Sequence, residues 1–121
     1  MKGIHTTFAL ALLTLASVSA YADCVYPKTP EAAPNGSTAT EAEMVAGMQV
    51  FKKYQDDVNA YLTCLDLDAK TRSATAGDNA QQAKDIKEMA AKKHNSAIDE
   101  LSARADAFNQ QLRAFKAKQK S

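Results

Sequence analysis

Tryptophan is absent from the 121 residues, and cysteine, proline and glycine occur only two, three and four times. No glycines are grouped as a phosphate-binding loop requires. The two cysteines form no Cys-x-x-Cys arrangement, which excludes the common zinc, redox and covalent haem motifs. Basic and acidic residues number 15 and 14, so nothing indicates attraction to nucleic acid. The sequence predicts neither an enzyme nor a cofactor-binding protein.

The N-terminal residues have the layout of a secretory signal. Lys2 gives a basic start, an apolar stretch covers residues 8–16, and small residues follow. The apolar stretch is too short to span a bilayer. We expect cleavage after Ala22, or alternatively after Ala20. The remaining chain, residues 23–121, would be a periplasmic or secreted protein with no integral membrane segment.

Cys24 can be interpreted either as a lipid anchor at the end of this signal or as one half of a disulfide. A lipoprotein signal needs small or apolar residues directly before the modified cysteine, whereas Asp23 stands there. Thiols outside the cytosol pair and stay paired, and Cys64 is the only other cysteine. We therefore predict a Cys24–Cys64 disulfide. Free reactive or metal-binding thiols are the alternative, although no histidine lies at ligand spacing.

The first part of the remaining chain, residues 23–39, contains all three prolines. Prolines fix the backbone and remove donors, so we expect an extended strap that resembles polyproline and ends in an Asn35-Gly36 turn. The 16 residue steps from Cys24 to Thr40 reach roughly 50 Å at about 3.1 Å each. That length is enough for the strap to fold back along a helix and reach Cys64.

Two long helices are predicted after the strap. The first is expected over residues 40–72, with Thr40 and Glu43 as a capping box, and the second over residues 79–118, after a loop at residues 73–78. Two such helices joined by a short loop form an antiparallel hairpin. We predict a single all-α domain over residues 23–121, a coiled-coil-like two-helix hairpin with the strap stapled to it by the disulfide.

Apolar residues at heptad spacing mark one stripe on each predicted helix. Asp78 and Gln81 are expected to form a second capping box at the start of the second helix. The stripe of the first helix comprises Met44, Met48, Phe51, Val58, Leu62 and Leu65, and that of the second comprises Ala91, His94, Ile98, Leu101, Ala105, Phe108, Leu112 and Phe115.

The end of the second helix is expected to overhang the start of the first. With the loop centred near residue 75, Leu112 and Phe115 would extend to and beyond the region opposite residue 40 and would need a cover. The strap, a second copy of the chain or a partner protein would provide it. The candidate partner or dimer surface comprises Phe108, Leu112, Arg113, Phe115 and Lys116.

Two residue types on the stripes have a second interpretation. His94 lacks an activating neighbour at a motif spacing, so it is expected to be a packing residue, or a pH-sensitive element of the interface, rather than a catalyst. Met44 and Met48 lie one turn apart and have the soft ligands that Cu(I) prefers. A third sulfur is not expected near them, so core packing is the better interpretation.

Five stretches carry a resemblance to known proteins. They are Cys24-x-x-Pro27-x-x-Pro30-x-x-x-Pro34-x-Gly36, Glu43-Met44, Tyr61-Leu62-x-Cys64-Leu65, His94-Asn95 and Phe108-Asn109-x-Gln111-x-Arg113-x-Phe115. The chain resembles a family of short uncharacterised exported proteins of proteobacteria. The resemblance implies a shared fold and a disulfide, and it carries no activity.

From these observations we expect an exported helical protein that acts by protein–protein interaction, as an accessory, scaffold or chaperone-like protein of the cell envelope. One alternative is attachment to the envelope surface or membrane through the basic residues 113–121. A metal-binding or thiol-dependent role is the other alternative.

Overall fold

The computed structural model describes residues 23–121, which contain two α-helices and no β-strand. Helix α1, Glu41–Thr75, and helix α2, Ala80–Lys120, contact each other as an antiparallel hairpin. Residues 23–35 have no regular secondary structure and lead into a turn at residues 36–38. The predicted all-α hairpin with a disulfide-stapled strap is therefore confirmed. The predicted signal peptide lies outside the described residues.

Helix α1 begins with the expected capping box. The Thr40 hydroxyl accepts a hydrogen bond from the Glu43 amide at 3.2 Å, and a Glu43 carboxylate oxygen accepts one from the Thr40 amide at 2.7 Å. The Thr40 amide and then its hydroxyl lower the pKa of the Glu43 carboxyl, because hydrogen bonds favour the charged form. The start of α1 is thus fixed by reciprocal hydrogen bonds between its cap, Thr40, and Glu43 in its first turn.

The loop between the helices differs from the expectation. Helix α1 continues to Thr75, and Gly77 then turns the chain with a φ of 56°, a left-handed conformation that glycine adopts without steric cost. This extra length moves the start of α2, so the predicted Asp78 cap is wrong. Asn79 is the cap instead, and its side chain accepts a hydrogen bond from the Gln82 amide at 3.0 Å.

The buried seam between the helices follows the predicted stripes only in part. Met48 and Ile98, both expected on a stripe, are 44% and 40% exposed. Their small neighbours take the inner positions: Gly47 lies against Pro34 and Phe108, and Ala97 is fully buried. Small residues are needed there because another chain segment approaches the helix backbone. The buried residues are Met44, Tyr54, Val58, Leu62 and Leu65 of α1 and Ala97, Phe108 and Phe115 of α2.

The strap forms a third layer that completes two hydrophobic clusters. The first cluster contains Tyr54, Val58, Leu62, Leu65 and Ala97, with Cys24, Tyr61 and Leu101 packed against it. The second contains Ala39, Met44, Phe108 and Phe115, with Ala33 and Leu112 packed against it. Each cluster includes residues that precede α1. Since a hairpin of two helices alone buries only a narrow seam, these added contacts stabilise it.

Candidate functional site

One end of the strap is fixed covalently. The predicted disulfide joins Cys24 to Cys64, with the two Cα atoms 5.7 Å apart, and no free thiol is left in the chain. Both cysteines are half-buried, and Cys24 packs against the first cluster. The disulfide therefore holds the start of the strap against the middle of α1.

Tyr26 adds a polar contact next to the disulfide. Its hydroxyl lies 2.7 Å from the hydroxyl of Tyr54, which is almost fully buried, and its ring meets Tyr61 edge-on with centroids 5.2 Å apart. Burial raises the pKa of the Tyr26 phenol well above its usual range, and the hydrogen bond to Tyr54 raises it further. The neutral phenol is thus the form that fits this site.

A turn at Asn35 fixes the other end of the strap. The amides of Thr38 and Ala39 donate to the Asn35 carbonyl at 3.1 and 2.7 Å. The Gly36 amide donates to the Gln111 side chain of α2 at 2.9 Å. A Cβ atom at Gly36 would overlap the Gln111 carbonyl oxygen, so only glycine permits this approach. The turn is therefore packed directly against the backbone of α2.

Lys118 closes the same end from α2. Its ammonium group donates to the Ala39 carbonyl at 2.6 Å and lies 5.1 Å from the centre of the Phe115 ring. The distance to the ring permits a cation–π contact. Lys118 therefore links the last turn of α2 to the residue that precedes the cap of α1.

Between the disulfide and Pro34, which lies against Gly47 of α1, the strap has more reach than the helical path beside it requires. The 10 residue steps from Cys24 to Pro34 would reach roughly 31 Å in a polyproline conformation. The 17 steps along α1 from Cys64 back to Gly47 cover only roughly 26 Å. The strap therefore need not lie flat on the hairpin over its whole length.

An open groove, the strap groove, lies where the strap and both helices meet. It has a volume of about 820 Å³. Small and apolar residues make up most of its lining, and Val50, which lines it, is 54% exposed. The lining comprises Pro30, Glu31, Ala32, Ala33, Pro34, Asn35, Thr38 and Ala39 of the strap, Glu43, Ala46, Gly47, Val50 and Phe51 of α1, and Arg104, Ala107, Phe108, Gln110 and Gln111 of α2.

The strap groove contains aromatic rings, one cation and the carboxylates of Glu31 and Glu43. The rings of Phe51 and Phe108 are nearly parallel, with an interplanar angle of 9° and centroids 6.1 Å apart. Arg104 donates through Nε to Glu100 at 2.9 Å, and this is the only hydrogen bond of its side chain within residues 23–121. Its terminal nitrogens are therefore available to an acceptor in the groove.

The structure places the candidate partner surface at the turn end of the strap. Phe108 and Phe115 are 8% exposed, because Ala33 and Ala39 pack with them, and Leu112 is half-buried beside them. The expected overhang is wrong, since the longer α1 brings Phe115 next to the cap region of that helix. Strap residues are the cover here. The exposed members of the set are Arg113 and Lys116, and a partner contact at this surface stays a prediction.

His94 and the two methionines of the first stripe lie in different environments. Met44 is buried with Phe108, whereas Met48 is exposed, so the two sulfur atoms do not share one environment. His94 is half-buried in a shallow depression that also contains Asp66 and Lys87. In the part of the chain that the structure describes, no three His, Cys, Asp or Glu side chains are close enough to hold a metal ion.

Sequence reasoning missed the strap groove, although one signal for it is present. Pro27 and Pro30 are three residues apart in the sequence, and this spacing is the repeat of a polyproline helix. Cys24 and Ala33 continue the spacing, and all four residues are half-buried in the structure, together with Thr29 and Pro34. The proline spacing therefore indicates one side of the strap that faces the hairpin.

Comparison with known proteins gives no relative for this architecture. No family model, no curated protein and no solved structure matches the chain. Neither helix of residues 23–121 is long and apolar enough to cross a membrane. The disulfide is compatible with a compartment outside the cytosol.

Proposed function

We propose that the protein is exported and acts by protein–protein interaction, with the strap groove as the binding site for a segment of the partner. The observation that carries this proposal is the groove itself, which is open, mainly apolar and about 820 Å³ in volume. Sites that hold ligands in proteins commonly have volumes of roughly 300–1,000 Å³ and a few polar groups among apolar ones.

The walls of the groove are held in place before any partner arrives. The disulfide, the Tyr26–Tyr54 hydrogen bond and the contact from Gly36 to Gln111 hold the strap at both ends. A preformed site loses little conformational entropy on binding. The fixed strap therefore supports a role in recognition as well as in stability.

Export is part of the same proposal. The basic and apolar N-terminal residues are typical of a secretory signal, and removal after Ala22 would leave Cys24 near the new N-terminus. An oxidising compartment maintains the Cys24–Cys64 disulfide on which the position of the strap depends. An accessory, scaffold or chaperone-like role in the cell envelope fits both requirements.

Site-specific photo-crosslinking in cells tests this function. A benzophenone amino acid in place of Val50 lines the groove, and the same amino acid in place of Val45 is the control, because both valines are about half exposed on α1 but only Val50 lines the groove. We expect a protein adduct from position 50 that is absent from position 45, with the crosslinked segment identified by mass spectrometry. The same adducts from both positions, or none from position 50, would reject the groove as the binding site.

A further inference from the structure

The contact between the strap and the hairpin indicates which type of chain these helices accept. Cys24, Pro27, Pro30 and Ala33 are half-buried at every third residue, which is the repeat of a polyproline-II helix, and Thr29 and Pro34 are half-buried beside them. The residues against which the strap packs include rings, namely Tyr61 next to Tyr26, and Phe108 near Pro34. Proline-rich segments in this conformation commonly bind to aromatic-lined grooves.

Residues 25–34 of the strap contact the hairpin without main-chain hydrogen bonds. Within residues 23–121, no main-chain group of residues 25–34 makes a hydrogen bond to another main-chain group or to a side chain. The middle turns of a helix cannot offer main-chain hydrogen bonds to the strap, because their amides and carbonyls are already paired within the helix. A proline-rich segment leaves the fewest main-chain donors without a partner on such a surface, since proline has no amide hydrogen.

The strap groove is continuous with this intramolecular interface. Gly47 lies against both Pro34 and Phe108, and all three residues also line the groove. The small side chains of Ala46 and Ala107 leave room between them and the strap. The space not filled by the strap is therefore lined by the same kinds of residue as the surface that the strap covers.

The groove also contains donors that suit a polyproline backbone. A polyproline helix presents solvated carbonyl groups, which accept hydrogen bonds. The terminal nitrogens of Arg104 and the side-chain amide of Gln110 are donors among the lining residues. Apolar contact with the rings and hydrogen bonds to these donors would act together on such a ligand.

We propose that the strap groove binds a proline-rich segment of a partner polypeptide in the polyproline-II conformation. This inference rests on the proposed function and names the class of partner segment. The strap then has two roles, since it occupies part of the hairpin surface itself and forms one wall of the site for a second segment of similar chemistry.

A peptide-binding measurement tests the inference on the exported, oxidised protein. The probe is a fluorophore-labelled synthetic peptide with the sequence of residues 25–34, VYPKTPEAAP, and the control peptide has alanine at its three proline positions. We expect fluorescence anisotropy to give an affinity for the proline-containing peptide that is at least about tenfold higher. Equal affinities would overturn the inference.

A matched pair of variants locates the binding. Ala107 and Ala103 are both exposed on α2, but only Ala107 lines the groove. We expect Ala107→Trp to fill the groove and weaken peptide binding by at least about tenfold, and Ala103→Trp to leave it unchanged. Circular dichroism and an intact disulfide establish that both variants fold. An unchanged affinity in Ala107→Trp would reject the groove as the peptide site.

The two proposals fail in different ways. A crosslinked partner segment from position 50 that contains no proline, together with weak peptide binding, would overturn the polyproline inference and leave the proposed function standing. The absence of both a specific crosslink and peptide binding would overturn both proposals. A proline-containing crosslinked segment whose capture is lost in Ala107→Trp would support both.

Discussion

Tyr26 holds the strap to the interior through one hydroxyl contact and one ring contact. Its partner Tyr54 is not a member of the predicted stripe of the first helix, yet it is one of the most buried residues of α1. The spacing of apolar residues within one helix does not show which strap residue will contact it, so the sequence could not predict the Tyr26–Tyr54 pair. Tyr26 reaches Tyr54 because it lies two residues from Cys24, which the disulfide attaches to α1.

Alkaline titration tests the environment of Tyr26. Its pKa is raised above the ordinary 10.0 by burial and by the hydrogen bond to Tyr54. The contribution of the neutral phenol to stability is therefore complete below pH 10.0 and is lost as the pH rises through the higher pKa of the folded state. We expect tyrosinate absorbance to show a late ionisation step that Tyr26→Phe removes. A late step that persists in Tyr26→Phe would assign it elsewhere.

Gly36 and Gly77 are required for different reasons, and substitutions can distinguish these reasons. At Gly36 a Cβ atom would overlap the Gln111 carbonyl, whereas at Gly77 there is open space but φ is 56°. Alanine is expected to cost about 1–3 kcal/mol at Gly36 through overlap, and about 1–2 kcal/mol at Gly77 through the left-handed conformation.

Asparagine distinguishes the two causes, because it tolerates the left-handed conformation but still has a Cβ atom. Urea denaturation should show that Gly77→Asn is more stable than Gly77→Ala, while Gly36→Asn is no more stable than Gly36→Ala. Recovery at both positions would contradict the steric explanation for Gly36.

At the scale of the helices, the sequence predicts the type and number of elements better than their register. Heptad spacing and the Thr40 capping box were sufficient for a hairpin. The predicted buried positions were wrong at two places where the more hydrophobic of two neighbouring residues was taken as the buried one. Met48 and Ile98 are exposed, and their neighbours Gly47 and Ala97 take the inner positions. The smaller residue faces the interior in both cases, since close approach of another segment requires little volume there.

The capping box of α1 can be tested through the pKa of Glu43. This pKa is lowered mainly by the Thr40 amide and then by its hydroxyl. The stabilisation by the charged carboxylate is present above the ordinary pKa of 4.5 and is lost as the pH falls through the lower folded value. We expect Thr40→Ala to move the pKa part of the way back, because the amide remains, as measured by NMR of the carboxyl carbon.

Loss of the Thr40 side chain should also lower the stability of the protein by about 1 kcal/mol, the usual cost of removing a helix cap. Thr40→Ser is the matched control, since it keeps a hydroxyl that can accept from the Glu43 amide. An equal shift of the Glu43 pKa in both variants would show that the hydroxyl has no part in it.

For the whole molecule, the strap determines both the stability of the hairpin and the presence of the groove. The sequence predicted that the strap reaches Cys64, because this follows from chain length alone. The groove was not predicted, because it depends on the excess of strap length over the helical path and on where Gly47, Ala46 and Ala107 place their small side chains. Such small differences in length and volume have no counterpart in a hydrophobic pattern.

Reduction of the disulfide tests how much the covalent link contributes. It connects residues separated by 40 positions. In the chain-entropy description, opening a loop of this size costs about 4 kcal/mol of stability. We expect this loss in urea denaturation of the reduced protein. The double variant Cys24→Ser and Cys64→Ser should match the reduced wild type in stability.

Tyrosine fluorescence provides an independent signal for the same experiment. The three tyrosines of residues 23–121 are Tyr26, Tyr54 and Tyr61, and all three meet where the strap crosses α1. Release of the strap should therefore change this fluorescence. A reduced protein with unaltered stability would contradict the stapling role of the disulfide.

The position of the disulfide also determines how the molecule bears mechanical load. A force applied between residue 23 and residue 121 passes from Cys24 directly into Cys64 and then along the rest of the chain. Residues 25–63 form a closed covalent loop outside this load path. Stretching can therefore extend only the segment from Cys64 onwards, so the strap and the α1 wall of the groove belong to the shielded loop, while the α2 wall carries the tension.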